Sequence, residues 1–383
     1  MELSGIIKAH EHDDVAQLAL QRAQYKDLSN DEFRWVLQQI EGRQRTKEKL
    51  PSIAARDDWW YPVRLSCEQC SSELTACYKR ELLKEKGIEN GELNDLTGGS
   101  GIDTLYLSEA VKTAYYIEKD AELCRLAEHN LGARIQIINS TAEERLEALT
   151  TAGTDRRILY ADPARRDKNG GKVFRIEDCT PNMTRLIGTM RQKSCLRMLK
   201  LSPMTDVTAA LKSMGGDWET HIVAVDNEVK EIVILEGAGT HPTVTAIDLK
   251  SGIRLEMTRE EENNLPQVTA KEAGAYLYEP NAALMKAGAF RTIAHRYGVE
   301  QMDKNSHLYT SANEVNNFPG RRFKTIELNS KDLPEQANVI CRNYPLSAEQ
   351  LRKKLKIKDG GNLYIIGTRV NGKPTLILAD RLA

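Results

Sequence analysis

Asp95-Leu96-Thr97-Gly98-Gly99-Ser100-Gly101 is the stretch on which the reading of the fold turns. It ends a short strand-like run, Leu93–Leu96, and opens a helix at Ile102. Glycines at such a turn let the backbone approach a ligand closely, and the helix start presents unpaired N–H groups. The dinucleotide fingerprint G-x-G-x-x-G asks for a third glycine. Here Gly99-Ser100-Gly101 is followed by Ile102-Asp103-Thr104, so that glycine is missing. Asp95 at the strand end is a poor neighbour for a pyrophosphate. It suits an ammonium group, such as that of a methionine moiety.

Two features downstream complete a nucleoside pattern. Glu118 closes the next strand-like run, where a carboxylate can accept both hydroxyls of a ribose. The third run ends in Asn139-Ser140-Thr141, small polar groups able to reach an adenine edge. Thr97, Gly98, Gly99, Gly101, Lys119 and Thr141 therefore join Asp95 and Glu118 as candidate cofactor-binding residues.

Outward from this loop, β-type runs alternate with helical stretches. The runs are Leu93–Leu96, Thr113–Ile117, Ile135–Ile138, Ile158–Tyr160, Leu196–Leu201, His221–Val225 and Ile232–Leu235. Alternation of this kind implies right-handed crossovers and a mostly parallel sheet. The last two runs are separated only by Asp226–Glu231, too short for a crossover helix. They predict an antiparallel hairpin, and so a sheet with an antiparallel last strand. Residues 1 to about 88 read as helices, with Leu18, Leu20, Phe33, Val36, Leu37 and Ile40 at helical spacing and one helix over Ser66–Leu83. A hairpin is expected at Ser251-Gly252, a boundary at Glu260–Asn264, and one helix over Ala282–Tyr297. The chain should end in strand, helix and two strands around Asn371-Gly372.

The fourth run ends in Asp162-Pro163-Ala164-Arg165-Arg166-Asp167. Ligands of such sheets sit outside the carboxyl ends of the strands. Proline holds Asp162 extended, which places its carboxylate over the crevice. Asp162 and Arg165 are the candidate catalytic residues, and Asp162, beside the methyl donor, also joins the candidate cofactor-binding residues. Arg165 and Arg166 could grip a phosphate or stack on a base, and Gly170-Gly171-Lys172 reads as a basic lip. The fifth run ends in Lys200-Leu201-Ser202-Pro203-Met204, where covalent chemistry on uracil C5 would need a cysteine; Ser202 and Pro203 disfavour it. Trp59-Trp60-Tyr61 reads as core or a helix anchor, and the histidines show no ligand pattern.

The 383 residues suggest two or three domains at roughly 150 residues each. The net charge is −1, unevenly spread. Residues 321–383 carry 13 Lys/Arg against 6 Asp/Glu, a surplus of +7, and the remainder carries 41 against 49. A basic end hints at an anionic partner. The seven cysteines are scattered, and Cys67-x-x-Cys70 lacks the second pair a zinc site would need, so no metal is expected. No signal peptide and no membrane-length apolar run is evident, which points to a reduced, cytoplasmic protein.

At this point the chain resembles a known family, the bacterial class I S-adenosylmethionine (SAM)-dependent methyltransferases with a C-terminal THUMP-like domain, described as RNA methyltransferases. The likeness rests on Ser71–Ala76, Asp95–Asp103, Asp162–Asp167 with Gly170-Gly171-Lys172, Glu177-Asp178-Cys179 and Lys200–Met204. Further along it rests on Tyr278–Asn281, Asn305–Tyr309, Phe318–Arg321, Arg342–Leu346 and Lys353–Gly361. It implies an α/β fold: a doubly wound, Rossmann-like methyltransferase sheet (89–275), a helical N-terminal region (1–88), and small α+β C-terminal domains, ferredoxin-like (276–320) and THUMP-like (321–383). By the same resemblance Asp95, Gly98, Gly101 and Glu118 would hold SAM, Asp162 would face the substrate, and tRNA or rRNA rather than DNA would be the partner. One departure matters. Base-amine methyltransferases often carry Asp-Pro-Pro-Tyr at the fourth strand, and this chain has Ala164 and Arg165 there, so base-amine methylation is not indicated. The alternatives are a methyltransferase of a protein or small molecule, and a SAM- or RNA-binding protein without turnover.

Overall fold

The computed structural model describes residues 3–164, 175–328 and 333–382. Arg165, Arg166, Asp167 and the Gly170-Gly171-Lys172 lip lie outside the described residues. The chain divides into two compact units, Met1–Glu219 with Glu231–His241, and Thr220–Lys230 with Pro242–Ala383. No helix among the described residues is long and apolar enough to cross a membrane.

The first unit opens with α1 (Leu3–Ala9), α2 (Val15–Leu20), α3 (Asn30–Thr46), α4 (Pro51–Ala54), α5 (Arg64–Gln69) and α6 (Glu73–Glu85). Ile6, Leu18, Val36 and Ile40 meet in one buried cluster, as their helical spacing requires. Leu20 instead points outward, 87% exposed. Ser29 and Glu32 form a capping box that starts α3. The single helix expected over Ser66–Leu83 is two. The backbone turns extended at Cys70, and the Ser72 hydroxyl accepts from the Thr75 amide to begin α6 afresh. A serine there offers the backbone a cap in place of a continuing turn. Cys67 therefore sits on α5 and Cys70 just beyond it. Burial pushes the Cys67 thiol up to about 12, which leaves it inert.

The sheet of this unit is built from β1 (Glu92–Asp95), α7 (Ile102–Ser108), β2 (Thr113–Glu118), α8 (Ala121–Leu131), β3 (Ile135–Asn139), α9 (Ala142–Ala148), β4 (Arg157–Ala161), α10 (Met183–Lys193), β5 (Leu196–Leu201) and α11 (Val207–Met214). After β6 (Glu219–Val225) the chain turns at Asp226-Asn227 into β7 (Glu228–Gly237). Both turn residues have positive φ, 56° and 62°, the two-residue hairpin geometry. Strand order within the unit is β3-β2-β1-β4-β5-β7. The first five strands are parallel, and β7 runs antiparallel to β5 from Leu196↔Gly237 to Leu201↔Ile232. Strands β4 and β5 are buried along their whole length, mostly by apolar side chains, with Arg157, Arg197 and Lys200 as buried charges among them. The order reverses between β1 and β4, and that switch point is where such sheets bind ligands.

The aromatic cluster anchors the N-terminal helices. Trp59 and Tyr61 are buried. Trp60 stacks on His129 of α8 with ring centres 3.6 Å apart, and Trp35 of α3 meets it edge-on at 5.3 Å. Asn130, buried, closes the join: its Oδ1 accepts from the Trp60 amide at 2.9 Å and its Nδ2 donates to the Trp60 carbonyl at 2.7 Å.

The second unit pairs β6 with β8 (Thr243–Asp248), parallel, and β8 with β9 (Arg254–Thr258), antiparallel. The expected boundary at Glu260–Asn264 is a helix, α12 (Arg259–Asn264). Its buried Glu262 accepts from the Arg291 and Thr292 amides, both at 2.9 Å. There follow β10 (Tyr276–Pro280), α13 (Ala282–Ala287), α14 (Phe290–Tyr297), β11 (Glu300–Gln301), β12 (Tyr309–Ser311), β13 (Gly320–Ile326), β14 (Asn338–Cys341), α15 (Ala348–Leu355), β15 (Leu363–Val370) and β16 (Lys373–Arg381). The one helix expected over Ala282–Tyr297 is broken by Gly288, which takes a left-handed φ of 69° and ends α13. Glu262 then caps α14. Seven strands form one sheet in the order β11-β12-β10-β13-β16-β15-β14. Leu277, Met302 and Leu308 share a core with Phe323, Ile340, Ile366 and Ile377.

Asn130→Ala removes both partners of the Trp60 backbone. We expect it to lower stability by about 2–3 kcal/mol, the cost of leaving buried polar groups unpaired. Urea unfolding of full-length protein checks this, and an unchanged midpoint would show that the aromatic stack alone fixes the join.

Candidate active site

The loop leaving β1 is held from inside. Asp95 is completely buried. Its Oδ1 accepts from the Thr97 amide at 3.0 Å, and its Oδ2 accepts from the Thr104 hydroxyl at 2.5 Å. The carboxylate thus ties the start of the loop to the first turn of α7. Gly98 lies against the Tyr116 ring, where an added Cβ would come within 2.2 Å of a ring carbon, so a side chain has no room. The Tyr116 hydroxyl donates to the Gly99 carbonyl at 2.8 Å. Gly101 ends the loop with φ 79°, which favours glycine.

Glu118 stands at the end of β2 with its carboxylate fixed at both oxygens. The Gly99 amide donates to Oε2 and the Asp120 amide to Oε1, each at 3.0 Å. Thr97 bridges to the next strand: its hydroxyl accepts from the Asp162 amide at 2.7 Å. Asp95, Thr97, Gly98, Gly99, Gly101, Glu118 and Asp162 are thereby brought into one hydrogen-bonded constellation at the switch point. Lys119 is exposed beside Glu118. The Thr141 hydroxyl is engaged as the cap of α9, accepting from the Glu144 amide at 3.2 Å. Arg165 lies outside the described residues.

Behind Asp162 is a buried charge network that sequence reasoning missed. Lys200 Nζ meets Asp162 Oδ2 at 2.6 Å, Ser71 Oγ at 3.1 Å and Asp103 Oδ2 at 3.4 Å. Lys79, with no exposed side-chain surface, pairs with Glu231, with Asp103 Oδ1 at 3.2 Å, and donates to Ser71 Oγ at 3.1 Å. The Tyr160 hydroxyl donates to Asp103 Oδ2 at 2.8 Å. Burial opposes the charge on Asp103, but Lys79 and Lys200 outweigh it and hold its carboxyl well below the usual range. Burial likewise opposes the charge on Lys200, and Asp162, Asp103 and Glu231 raise it well above an ordinary lysine. A signal was present in α6. Its buried positions are Thr75, Ala76, Lys79, Leu82 and Leu83, so Lys79 falls on the apolar stripe. A lysine there needs a partner.

A parallel sheet with an antiparallel strand beside β5 and a glycine loop after β1 is the methyltransferase version of the doubly wound fold. A ferredoxin-like domain family matches residues 276–319, and a THUMP domain-like family matches 322–381. A crystal structure from Porphyromonas gingivalis W83, provisionally assigned as a methyltransferase, is 32% identical and superposes with a TM-score of 0.84 over 100% of this chain and 98% of that one. Two Mycobacterium tuberculosis proteins, of strains CDC 1551 / Oshkosh and H37Rv, are named as uncharacterized S-adenosylmethionine-dependent methyltransferases. Each is 22% identical over 360 residues, 89% of this chain and 94% of the relative. The chain belongs to this family of SAM-dependent methyltransferases with a ferredoxin-like and a THUMP-like C-terminal domain.

Burial raises the Asp95 carboxyl from 3.8 to about 7, against the hydrogen bonds from Thr104 and Thr97. A folded value above the unfolded one means that the folded chain keeps a proton which the unfolded chain releases. Stability should therefore fall as pH rises from about 4 to about 7, by about 4 kcal/mol at full effect, and level off above. In Asp95→Asn this part of the pH dependence should vanish. Denaturant unfolding of both proteins across that range is the check, and parallel curves would remove Asp95 as its source.

Proposed function

We propose that the chain transfers a methyl group from SAM to RNA, directly and without a covalent cysteine adduct. The observation that carries the cofactor part is Glu118, a carboxylate held by two backbone amides beside a loop that has no side chain at Gly98. An adenosine needs such a fixed acceptor for its ribose hydroxyls. A methionine moiety needs backbone close by. The loop after β1 fits both. Gly98, Gly99 and Gly101 would line the methionine part, with Asp95 shaping the loop from within. Glu118 would accept from the ribose, and Lys119 and Thr141 would border the adenine side.

Bound SAM supplies a methyl group already activated on a sulfonium. The protein then has to align the nucleophile with the methyl carbon and sulfur, so that one bond forms as the other breaks. Asp162, at the end of β4, would orient the nucleophile and accept its proton or its developing positive charge. Arg165 would grip the substrate backbone. The fifth strand ends in Ser202 and Pro203, with Cys195 at its other end, and this supports transfer without a covalent adduct.

The RNA part rests on the THUMP-like match and on charge. At the end of α15 and just beyond, Lys354, Lys356 and Lys358 are exposed and pair with no carboxylate among the described residues. Three unneutralised ammonium groups within five positions suit a phosphodiester backbone.

Two outcomes test these parts separately. Glu118→Ala should weaken SAM binding by about 1.5–3 kcal/mol, the range for hydrogen bonds to a charged group, in a protein that still folds. Calorimetric titration would read it, and unchanged affinity would remove Glu118 from the site. Reversing Lys354, Lys356 and Lys358 together to Glu should weaken RNA binding and flatten its dependence on log salt by about 2, while SAM affinity stays. If affinity for total RNA and its salt slope do not change, the reading of RNA as substrate loses its physical support.

A further inference from the structure

The pairing of Asp162 with a buried lysine has a consequence for the reaction itself. Among the described residues Lys200 is the one charged partner of the Asp162 carboxylate, and it meets that carboxylate at Oδ2. Lys200 is itself immobilised. Its ammonium has three hydrogens, and Asp162, Ser71 and Asp103 lie within reach of it. Ser71 and Asp103 are in turn gripped by Lys79, which Glu231 holds from β7. The Asp162 amide is fixed as well, donating to Thr97. Backbone and one carboxylate oxygen are thus both fixed before any substrate arrives.

We propose that Lys200 is a positioning residue for methyl transfer: it clamps Oδ2 of Asp162, so that the carboxylate stays charged and presents Oδ1 to the nucleophile. This rests on the reading that Asp162 faces the substrate. Methyl transfer to a neutral nucleophile breaks the carbon–sulfur bond, forms the carbon–nucleophile bond and moves the positive charge from sulfur to the nucleophile, which then loses a proton. A carboxylate helps at that moment only if it is ionised. Without Lys200, Asp162 would share its pocket with Asp103, Glu231 and Asp95, three further acidic groups on α7, β7 and β1, with Lys79 turned toward Asp103 and Glu231 and the Tyr160 hydroxyl spent on Asp103. Burial and those neighbours would favour the protonated acid, which could neither accept a proton nor meet a growing cation. An ammonium at 2.6 Å opposes this. Lys200 offsets this only in part: burial, with Asp103 and Glu231, still holds the Asp162 carboxyl above the usual aspartate range.

The test needs no known substrate. Full-length protein labelled with carbon-13 at the aspartate carboxyls is titrated by NMR, and Asp162→Asn identifies the Asp162 signal. In Lys200→Met the Asp162 midpoint should rise by about one to three pH units, the usual effect of an adjacent opposite charge, and Lys200→Arg should restore it. Lys200→Gln, which keeps a hydrogen bond to Ser71 but no charge, takes the place of the methionine variant if that variant does not fold. A midpoint unmoved in the uncharged variant overturns the proposal. Transfer of labelled methyl from SAM to total RNA of a strain lacking the protein is the second readout. The ionised form is the active one, so the rate falls as pH drops through the Asp162 midpoint, and in Lys200→Met that fall should begin at higher pH. A loss equal at every pH would make Lys200 merely structural and overturn the role. Failure of the wild-type protein to methylate RNA would sink the RNA reading alone, because the titration still decides Lys200.

Discussion

Two lysines of this chain, Lys79 and Lys200, place their ammonium groups within 3.1 Å of a single hydroxyl, Ser71 Oγ, inside the protein. A buried charge without a partner is costly, and breaking a buried pair by removing one member typically costs about 3–5 kcal/mol. The carboxylates of Asp103, Glu231 and Asp162 must therefore converge on the same point. They come from α7, β7 and the end of β4, while the lysines come from α6 and β5. Satisfying these five charges fixes the antiparallel β7 relative to the parallel strands. It also fixes the helical region relative to the sheet, and the end of β4 relative to the glycine loop. The N-terminal helices are thus a structural wall behind the switch point of the sheet.

The loop after β1 shows a second division of labour. Asp95 reads in sequence as a residue for a ligand's ammonium. In the folded chain it is buried, with its oxygens taken up by Thr97 and Thr104. Its job in the folded chain is to shape the loop. Glu118, partly exposed and held by backbone amides on both oxygens, is the carboxylate offered outward.

The fold was legible because its signals are local. Every β-type run from Leu93 to Leu235 corresponds to a strand, and the turn at Asp226-Asn227 brings in the antiparallel strand. The breaks were not legible. Ser72 and Gly288 each end a helical pattern whose periodicity continues through them, because capping is decided by one side chain or one φ angle. Glu262 looked like part of a polar boundary because its partners, the amides of Arg291 and Thr292, lie far along the chain. The charge network escaped for the same reason. Lys200 sits in a run that reads as a strand, and nothing near it in sequence names Asp162 as its partner.

One feature of the second unit bears on inheritance. The ferredoxin-like match ends at 319 and the THUMP-like match begins at 322, with no linker between them. β10 from the first lies hydrogen-bonded along β13, the opening strand of the second, from Tyr276↔Lys324 to Pro280↔Gly320. Two sequence modules therefore complete one another's sheet. A recombination event that carried only one of them to a new gene would deliver a raw strand edge, ready to pair with any other exposed edge. The unit that natural shuffling can move intact is the pair, and the seam between the two names is no place at which the chain can be cut.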